Sequence, residues 1–536
     1  MQSFILATFV VLSLGLSVVG QVVLGQADVV VAPQIGSAPA SISADALASY
    51  IEQQRLRWQV PGLSVAIVKD DQVILCKGFG VRDAQQVEAV DEYTLFAIAS
   101  NTKAFTAAAI AILVDEGKLK WDDRVTDYLP WFRLSDPLAT RELRVRDLLC
   151  HRSGLGTFSG DLLWWGTKYT AREVLERTAL LEMKSSFRSA YGYSNLMFLA
   201  AGEIVSTIAA EQNLDWSSFV QQRLIQPLGM SRTTTTVRDL QRLGNTATPH
   251  KTYLDSSRPL PWMNWDNMAA AGGIISCASD MSAWLRLQLR SGVLEDGQRL
   301  FSATQAWEMW QPQTPIPVKQ SANGKSSSTH FRAYGLGWSL ADYHGRKLVS
   351  HGGGYDGMYS QVLLVPEEKL GIVILTNSMT SIASKVAYEV VDRFLQIDAS
   401  TKGGEQDALT SFRNERKRFD ERIAAAIAPN PSGAGFRRPL QDYVASFRCP
   451  MYGDATVALE DNHLVLRMLP ADQLVADLAH LHYDTFQVNW REDFAWFGSG
   501  TVHFIQDPQG QFSRLELNIP NDDLWFYELN FERQPE

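Results

Sequence analysis

The sequence is poor in cysteine and contains no strongly basic stretch, and both features narrow the classes of protein it can encode. Its 536 residues include four cysteines, Cys76, Cys150, Cys277 and Cys449. They are too few and too dispersed for a disulfide framework, and they lack the spacing of metal ligands. We therefore expect the four cysteines to be buried and to pack as small hydrophobic residues. The formal net charge is −10, without a Lys/Arg run of the kind that a phosphate backbone attracts, and we expect no nucleic-acid partner.

Charge is also missing from the amino-terminal segment, where the first charged side chain is Asp28. Residues 4–25 are apolar or small apart from Gln21. This run is long enough to span a bilayer, but its small-residue endings favour cleavage. We therefore interpret residues 1–25 as a signal peptide, with a retained anchor as the alternative. The protein is then expected to be periplasmic or secreted, and to meet a membrane only if this segment is retained. Residues 26–42, which are small and nearly uncharged, predict a linker.

Strand patterns lie near both ends of residues 43–399, and helical patterns fill the middle. The predicted strands are 63–69, 73–77, 334–340, 347–350, 361–365 and 371–375, with a hairpin turn at Asp70-Asp71. The predicted helices include 44–57, 104–116, 171–181, 196–209, 216–224, 279–289 and 381–395. Strands at both ends with helices between them predict one α/β domain whose sheet is assembled from its two termini.

The composition changes after this domain. Residues 400–435 are highly charged and end in a Pro/Gly/Ser cluster, which predicts a helical connector and a flexible joint. Residues 436–536 show short strand patterns separated by turns, as in 456–468 and 501–519. This spacing predicts a small antiparallel β-barrel or sandwich domain.

Ser100 precedes Lys103 by three residues where an apolar helical pattern begins. Residues three apart share a helix face, so the lysine amine can approach the serine hydroxyl. The helix dipole favours a developing alkoxide, and burial lowers the pKa of a lysine towards that of a base. The alternative is that Ser100 caps the helix and Lys103 is solvated. On this stretch alone that alternative is favoured.

Two further motifs change this interpretation. Tyr193-Ser194-Asn195 stands just before an apolar helical pattern and contains the only Tyr-x-Asn of the chain. His351-Gly352-Gly353-Gly354 ends a predicted strand, and three glycines there cost backbone entropy, which indicates a close approach of a ligand. Their alternative interpretations are a second helix cap and a flexible loop.

In the order Ser-x-x-Lys, Tyr-x-Asn, His-Gly-Gly, the three motifs resemble those of the serine β-lactamase and penicillin-binding-protein superfamily. The similar branch comprises class C β-lactamases, D-alanyl-D-alanine carboxypeptidases, D-aminopeptidases and related esterases. Stretches such as "VPGLSVAIVKDDQVI", "DLLCHRSGLG" and "YGLGW" extend the resemblance over residues 44–397. It implies a β-lactamase/transpeptidase-like domain, with an antiparallel sheet flanked by helices and a mostly helical subdomain. The last hundred residues or so resemble the small β-barrel appendage behind some of these hydrolases.

The resemblance implies catalytic roles for three side chains. Ser100 would be the acylated nucleophile, and Lys103 would accept its proton directly or through Tyr193. Tyr193 would donate to the leaving group and later help to activate water. The resemblance implies no metal or organic cofactor.

The resemblance also implies substrate contacts around the nucleophile. Asn195 would bind the substrate amide or help to hold Lys103, and His351 and Gly353 would bind substrate. The backbone N–H groups of Ser100 and Gly354 would form the oxyanion hole. The third motif of β-lactamases and carboxypeptidases usually begins with lysine. His351 has a reference pKa of about 6.5 and is mostly neutral at pH 7, which weakens recognition of carboxylates.

The implied function is an exported serine hydrolase that cleaves an amide or ester through an acyl-enzyme on Ser100. Its substrate would be a D-amino-acid peptide, a peptidoglycan fragment, an ester or a β-lactam. The alternative is an acylatable penicillin-binding or sensing protein with little turnover. Tyr193 argues against that alternative, because a pure receptor needs no deacylating residue.

Several other features are given structural interpretations. His-Gly-Gly-Gly also resembles the oxyanion loop of α/β-hydrolase lipases, but the chain contains no Gly-x-Ser-x-Gly. His480 and His482 share a strand face without a third ligand nearby, which favours a non-metal interpretation. Four tryptophans are candidates for the walls of a cleft or for core packing: Trp164, Trp165, Trp262 and Trp265.

Overall fold

The computed structural model describes residues 42–253, 256–318, 328–397, 408–428 and 438–535. The predicted signal peptide or anchor 1–25 and the predicted linker up to residue 41 lie outside these residues. The predicted boundaries between 399 and 400 and between 435 and 436 also lie outside them. Within the described ranges, no helix combines the length and the apolar character needed to cross a membrane.

Eight strands form the antiparallel sheet of the first domain. The strands up to residue 376 are β1 Gly62–Lys69, β2 Gln72–Gly80, β3 Phe96–Ala97, β4 His250–Thr252, β5 Ser257–Pro259, β6 Ile275–Ser276, β7 Thr314–Pro315, β8 Arg332–Tyr334, β9 Ser339–Tyr343, β10 Arg346–Tyr355, β11 Met358–Val365 and β12 Leu370–Thr376. The sheet order is β2-β1-β12-β11-β10-β9-β8-β7. Leu63 of β1 lies opposite Thr376 of β12. The prediction that the two ends of the domain share one sheet is therefore confirmed.

The first hairpin shows how local sequence determines this sheet. Asp70 and Asp71 join β1 to β2 with φ angles of 48° and 68°. Two successive residues with positive φ match the right-handed twist of paired strands, and aspartate tolerates this conformation better than most residues. The predicted turn is confirmed.

Helices cover the sheet and build the mostly helical subdomain. They are α1 Ala44–Arg57, α2 Thr102–Asp115, α3 Val125–Tyr128, α4 Pro137–Glu142, α5 Val145–Leu148, α6 Ala171–Glu176, α7 Asn195–Ala209, α8 Trp216–Val220, α9 Leu240–Leu243, α10 Ala269–Gly272, α11 Ala278–Leu289, α12 Ala303–Met309, α13 Ile382–Phe394 and α14 Ala408–Ala426. Helix α2 is buried from Thr102 to Leu113, because α7 and α10 pack against it. A helix that is apolar on all sides belongs in such a position.

Three predicted elements differ from the structure. The predicted strand 334–340 is wrong in its middle, because β8 ends at Tyr334 and β9 begins at Ser339. Between them, Gly337 has φ +77°, and a Cβ there would lie 2.8 Å from the carbonyl oxygen of Lys103, so the chain bends to pass close to α2. The predicted helix 171–181 is α-helical only to the end of α6 and continues as a tighter 3-10 helix. The predicted helix 216–224 is α-helical only to the end of α8 and continues as a wider π-helix.

The C-terminal region forms a closed barrel. Its strands are β13 Ala445–Cys449, β14 Gly453–Glu460, β15 His463–Met468, β16 Val475–His482, β17 Thr485–Trp490, β18 Gly500–Gln506, β19 Phe512–Asn518 and β20 Phe531–Arg533. β13 pairs with β20 and closes the barrel, which decides between the predicted barrel and sandwich. Tyr443 lies among the aromatic rings inside it, with Phe512 stacked 4.6 Å away.

Candidate active site

Ser100 lies in a 3-10 turn, Ala99–Asn101, immediately before α2. Ala99 has φ +46°, an unfavourable left-handed conformation for a residue with a Cβ. Such backbone strain persists only where the surrounding structure enforces it. The first helical residue is Thr102, and the N-cap position belongs to Asn101. The interpretation of Ser100 as a helix cap is therefore wrong.

Lys103 is fully buried beside the Ser100 hydroxyl. Its Nζ donates to Ser100 Oγ at 3.0 Å, to Asn195 Oδ1 at 2.7 Å and to the Ala271 carbonyl oxygen at 2.9 Å. Burial lowers the pKa of Lys103 to about 7, against an opposing effect of the Asp161 carboxylate. Near neutral pH a large fraction of this lysine is therefore an uncharged amine.

Tyr193, from the Tyr-x-Asn motif, also contacts the Ser100 hydroxyl. Its OH donates to Ser100 Oγ at 2.8 Å, and burial raises its pKa well above the usual value, so it is a protonated phenol. Its ring packs on His151 with centroids 4.1 Å apart. His151 Nδ1 accepts a hydrogen bond from the Ser194 N–H at 3.0 Å, which fixes the backbone next to Tyr193.

Asn195 connects Lys103 to a residue that the sequence analysis missed. Its Nδ2 donates to Asp161 Oδ2 at 2.7 Å, while Trp164 Nε1 donates to Asp161 Oδ1 at 3.0 Å. Burial raises the pKa of Asp161 to about 8. Asp161 orients the amide so that Oδ1 faces the amine of Lys103. The sequence around it, "SGDLLWW", contains no motif that would have identified it.

The glycine-rich end of β10 lies beside the serine. β9 pairs with β10 over residues 346–350, whereas β11 continues along β10 as far as Tyr355. Gly352 and Gly354 line the cavity around Ser100. A Cβ on Gly353 would instead overlap the carbonyl oxygen of Ile98 and lie 3.1 Å from the backbone N of Ser100. The structure therefore places Gly353 where strand and serine turn meet.

His351 is held as a neutral ring. Tyr334 OH donates to its Nε2 at 2.7 Å, and its Nδ1 donates to the Gly352 carbonyl oxygen at 2.6 Å. A carbonyl can only accept, so the proton is on Nδ1. Burial, and secondarily the charge of Lys103, lowers the pKa of His351 to about 3. At pH 7 it offers no positive charge to a substrate.

Ser100 opens onto a cavity of about 360 Å³, which we call the Ser100 cavity. Three of the candidate wall residues, Trp164, Trp165 and Trp265, line it. Trp262 packs on Tyr355 instead, with ring centroids 5.3 Å apart. Among the described residues that line this cavity there is no arginine or lysine. The described wall of the cavity is thus rich in aromatic rings and lacks a cationic side chain.

The C-terminal barrel contributes part of this cavity, which the sequence analysis did not foresee. Trp496, Asp523 and Leu524 lie on its wall. Glu528 accepts hydrogen bonds from Ser159 Oγ at 2.5 Å and from the Gly160 N–H at 2.9 Å, next to Asp161. Trp165 also packs between the barrel rings Phe494 and Phe497, 5.3 Å and 5.2 Å away. The barrel is therefore a structural part of the candidate site.

The described part of the chain holds no group of three or more His, Cys, Asp and Glu residues arranged as metal ligands. His480 Nε2 lies 2.9 Å from the carbonyl oxygen of Tyr483 and donates to it. The four cysteines are free thiols, and all but Cys76 are buried.

Two family models and several known proteins match this chain. A family model described as Beta-lactamase matches residues 47–393, and one described as a domain of unknown function (DUF3471) matches residues 431–533. The chain is 26% identical to an unguisins hydrolase of Aspergillus campestris over 445 residues, 78% of each chain. Its fold is similar to the octameric penicillin-binding protein homologue from Pyrococcus abyssi (TM-score 0.57, 20% identity, 91% of this chain and 99% of that one). It is also similar to the D-amino acid amidase from Ochrobactrum anthropi SV3 (TM-score 0.54, 24% identity, 66% and 97%).

An antiparallel sheet is flanked by helices, and a lysine and a tyrosine both hydrogen-bond to one serine. These features define a β-lactamase-like fold, which a closed β-barrel follows. The chain belongs to the β-lactamase family. It is a β-lactamase-related serine hydrolase. The resemblance stated from the three motifs and the predicted fold class are both confirmed.

Proposed function

We propose that this protein is an exported serine hydrolase that cleaves an amide or ester through an acyl-enzyme on Ser100. The observation that carries the proposal is the convergence of Lys103 Nζ and Tyr193 OH on Ser100 Oγ, at 3.0 Å and 2.8 Å. Export is supported by the apolar residues 4–25. Amino-terminal sequencing of the mature protein from the periplasm or medium tests it, and an intact residue 1 in the cytosolic fraction would contradict export.

Acylation begins with the uncharged form of Lys103. A neutral amine has two hydrogens and one lone pair. If the amine donates these two hydrogens in hydrogen bonds to Asn195 Oδ1 and to the carbonyl oxygen of Ala271, its lone pair faces Ser100 Oγ. Lys103 then accepts the serine proton as Oγ attacks the substrate carbonyl carbon, and the carbonyl π electrons move to its oxygen.

The developing oxyanion requires hydrogen-bond donors that are already in place. The backbone N–H groups of Ser100 and Gly354 are the candidates, and donors of this kind contribute about 3 to 4 kcal/mol each in a transition state. Gly353 supports this arrangement, since its lack of a side chain lets β10 approach the Ser100 turn.

Collapse of the tetrahedral intermediate breaks the bond to the leaving group. Tyr193 donates its phenol proton to the leaving nitrogen or oxygen and receives the proton that Lys103 took from the serine. Water then attacks the acyl-enzyme and gives a proton to the same Tyr193–Lys103 pair, which returns a proton to Ser100 Oγ. Atoms and protons balance over the cycle, and this chain's own groups move each proton.

The cavity supports substrates without a carboxylate next to the scissile bond. His351 is neutral and no described lining residue is cationic. One similar protein is named an unguisins hydrolase, which supports hydrolysis, and another is named a D-amino acid amidase, which supports amide cleavage. We therefore place amides and esters, including those of D-amino acids, ahead of peptidoglycan fragments and β-lactams as substrates.

Labelling with a fluorophosphonate probe tests the proposal directly. We expect the wild-type protein to gain one covalent adduct and Ser100→Ala to gain none and to lose hydrolysis of a p-nitrophenyl ester. Ser189→Ala, at an exposed serine, serves as the control and keeps both activities. Persistent labelling of Ser100→Ala would contradict the assignment. A burst of one product equivalent without steady turnover, on esters and D-amino-acid amides alike, would instead identify a sensing protein.

A further inference from the structure

His151 holds the segment that carries Tyr193 at three points. Its carbonyl oxygen accepts a hydrogen bond from the Gly192 N–H at 2.9 Å, and its Nδ1 accepts one from the Ser194 N–H at 3.0 Å. Between these two contacts, the His151 ring packs on the Tyr193 ring with centroids 4.1 Å apart. One residue therefore fixes both chain neighbours of Tyr193 and the ring itself.

The backbone of His151 is also unusual. Its φ angle is +59°, in the left-handed region that residues with a Cβ rarely adopt. In this conformation the carbonyl and the ring of His151 both contact residues 192–194. Strained residues of this kind persist where the surrounding structure enforces them, and they are frequent at active sites.

The ring of His151 is neutral, with its proton on Nε2. Burial, and then the charge of Lys103, holds the pKa of His151 well below its usual range. Because Nδ1 accepts the Ser194 N–H, the neutral ring carries its proton on Nε2. This N–H is buried and has no hydrogen-bond partner in the part of the chain that the structure describes.

The unpaired N–H argues against a purely structural role, since a buried donor without an acceptor is unfavourable. A phenylalanine would fill the same place among the rings of Tyr193, Phe198 and Tyr334 and would bury no unpaired donor. What the histidine adds over a phenylalanine is the acceptor Nδ1. That acceptor binds the residue next to Tyr193.

The position of Tyr193 matters because its phenol has to reach both the serine and the leaving group. Its OH donates to Ser100 Oγ at 2.8 Å, and a misplacement of about 1 Å can lower a reaction rate by about 100-fold. Thr157 Oγ1 accepts the Tyr193 N–H at 3.2 Å, and the Phe158 N–H donates to the Tyr193 carbonyl oxygen at 2.8 Å. These two contacts hold the main chain of Tyr193, whereas His151 also packs against its ring.

We propose that His151 is a positioning residue that holds the Tyr193 phenol in place for proton transfer to the leaving group. It acts through Tyr193, and the described residues that line the Ser100 cavity do not include it. This inference rests on the proposed hydrolytic function and adds to it a residue from outside the three motifs.

Two leaving groups on the same acyl group test this positioning. A p-nitroanilide needs a proton on its leaving nitrogen, whereas p-nitrophenolate leaves as a stable anion. We expect His151→Phe to lower kcat/KM for the anilide by about 100-fold and for the ester by about tenfold at most. His250→Phe makes the same change at another buried histidine, whose Nε2 accepts the Ala84 N–H at 3.0 Å, and should keep the wild-type ratio. Equal losses for both substrates in His151→Phe would overturn the inference.

A double-mutant cycle separates positioning of Tyr193 from a general loss of structure. In the Tyr193→Phe background, His151→Phe should change the rate of acylation by less than about threefold, because the phenol that His151 positions is already absent. An undiminished loss in that background would overturn the inference while leaving the hydrolytic function intact. Acylation of Tyr193→Phe at the wild-type rate would refute the proposed role of Tyr193, and this inference with it.

A second pair of variants keeps the test valid if His151→Phe does not fold. Asparagine and leucine have nearly the same shape, but asparagine offers an oxygen close to the place of Nδ1 and tolerates a positive φ. At equal ester rates, we expect His151→Asn to hydrolyse the anilide about tenfold faster than His151→Leu does. Equal anilide rates in these two variants would overturn the inference.

Discussion

Asn195 Oδ1 accepts a hydrogen bond from Lys103 Nζ at 2.7 Å, although the two residues lie 92 positions apart in the chain. This contact keeps a neutral acceptor beside an amine whose pKa burial has lowered to about 7. The rate of acylation in the wild-type protein should therefore rise with pH through about 7, as the uncharged amine that accepts the serine proton is formed.

Asn195→Asp should shift this pH dependence. A carboxylate beside Lys103 favours the charged amine, so the pKa of Lys103 rises, typically by about 1 to 3 units. Acylation should then be slow at pH 7 and recover at higher pH, measured as the rate of fluorophosphonate labelling between pH 5 and 10. Asn213→Asp, in a turn after α7, is the control and should keep the wild-type profile. An unchanged midpoint in Asn195→Asp would show that another group is the base.

Tyr193→Phe should lower acylation and turnover by about 10² to 10⁴, the usual contribution of a general acid–base group. The ring would keep its packing on His151, so the melting temperature should change little. Stopped-flow acylation and thermal unfolding measure the two effects. Tyr191→Phe, whose ring also packs near His151, is the matched control with near-normal rates. Near-normal rates in Tyr193→Phe would mean that Lys103 acts without the phenol.

Gly353→Ala should disturb the site without touching the reacting side chains. The new Cβ would overlap the Ile98 carbonyl oxygen and push β10 away from the Ser100 turn. We expect a loss of about 1 to 3 kcal/mol in unfolding free energy, as in other overpacked positions, together with reduced kcat. Gly498→Ala, where a Cβ would lie 3.3 Å from Ile423 Cδ1, serves as a milder comparison in denaturant titrations. Wild-type stability and kcat in Gly353→Ala would show that β10 can shift at no cost.

Much of the fold could be predicted because its signals are local. The hairpin at Asp70-Asp71 and helix α1 are confirmed by the structure, the helix with the predicted bounds. The strand break after Tyr334 was missed, since Gly335 and Gly337 within an apolar run resemble strand glycines until the contact with α2 is known. Boundaries that depend on tertiary contacts cannot be derived from local spacing.

The candidate site likewise contains residues that sequence motifs predict and residues that only the structure reveals. Ser100, Lys103, Tyr193 and Asn195 belong to motifs, and the structure brings them within hydrogen-bond distance of one another. Asp161 contacts Asn195 and not Ser100. It belongs to none of the three motifs, so the sequence did not predict its role. Trp496 and Asp523 come from a different domain, and only the packing of the barrel against the hydrolase domain places them on the cavity wall.

Trp496→Ala should widen the site, because Trp496 lines both the Ser100 cavity and the second cavity. We expect kcat/KM for bulky acyl groups to rise relative to acetyl by about tenfold, the scale on which apolar pockets discriminate size. A series of p-nitrophenyl esters from acetyl to branched and aromatic acyl groups measures this ratio. Trp525→Ala removes a barrel tryptophan that lies outside both cavities and should leave the ratio unchanged. A constant ratio in Trp496→Ala would show that this ring does not limit substrate size.

The neutral His351 leads to a prediction about carboxylate substrates. Nitrocefin and D-alanyl-D-alanine peptides present a carboxylate to a cavity without a described cationic wall. Their kcat/KM should fall below that of a neutral activated ester by about 100-fold, the scale of one hydrogen bond to a charged group. His351 should supply no positive charge to these substrates anywhere between pH 5 and 8, since its pKa is about 3. Fast nitrocefin turnover beside slow ester turnover would refute this interpretation.

The pairing of β1 with β12 has a consequence for biosynthesis. β1 ends at Lys69 and β12 begins at Leu370, so the sheet is complete only after most of the chain has left the ribosome. Such distant pairing slows folding, because a long loop must close before the contacts form. Gly354, the proposed second oxyanion donor, also arrives with the late strand β10. A nascent chain therefore carries its nucleophile for hundreds of residues before it can assemble a complete hydrolytic centre.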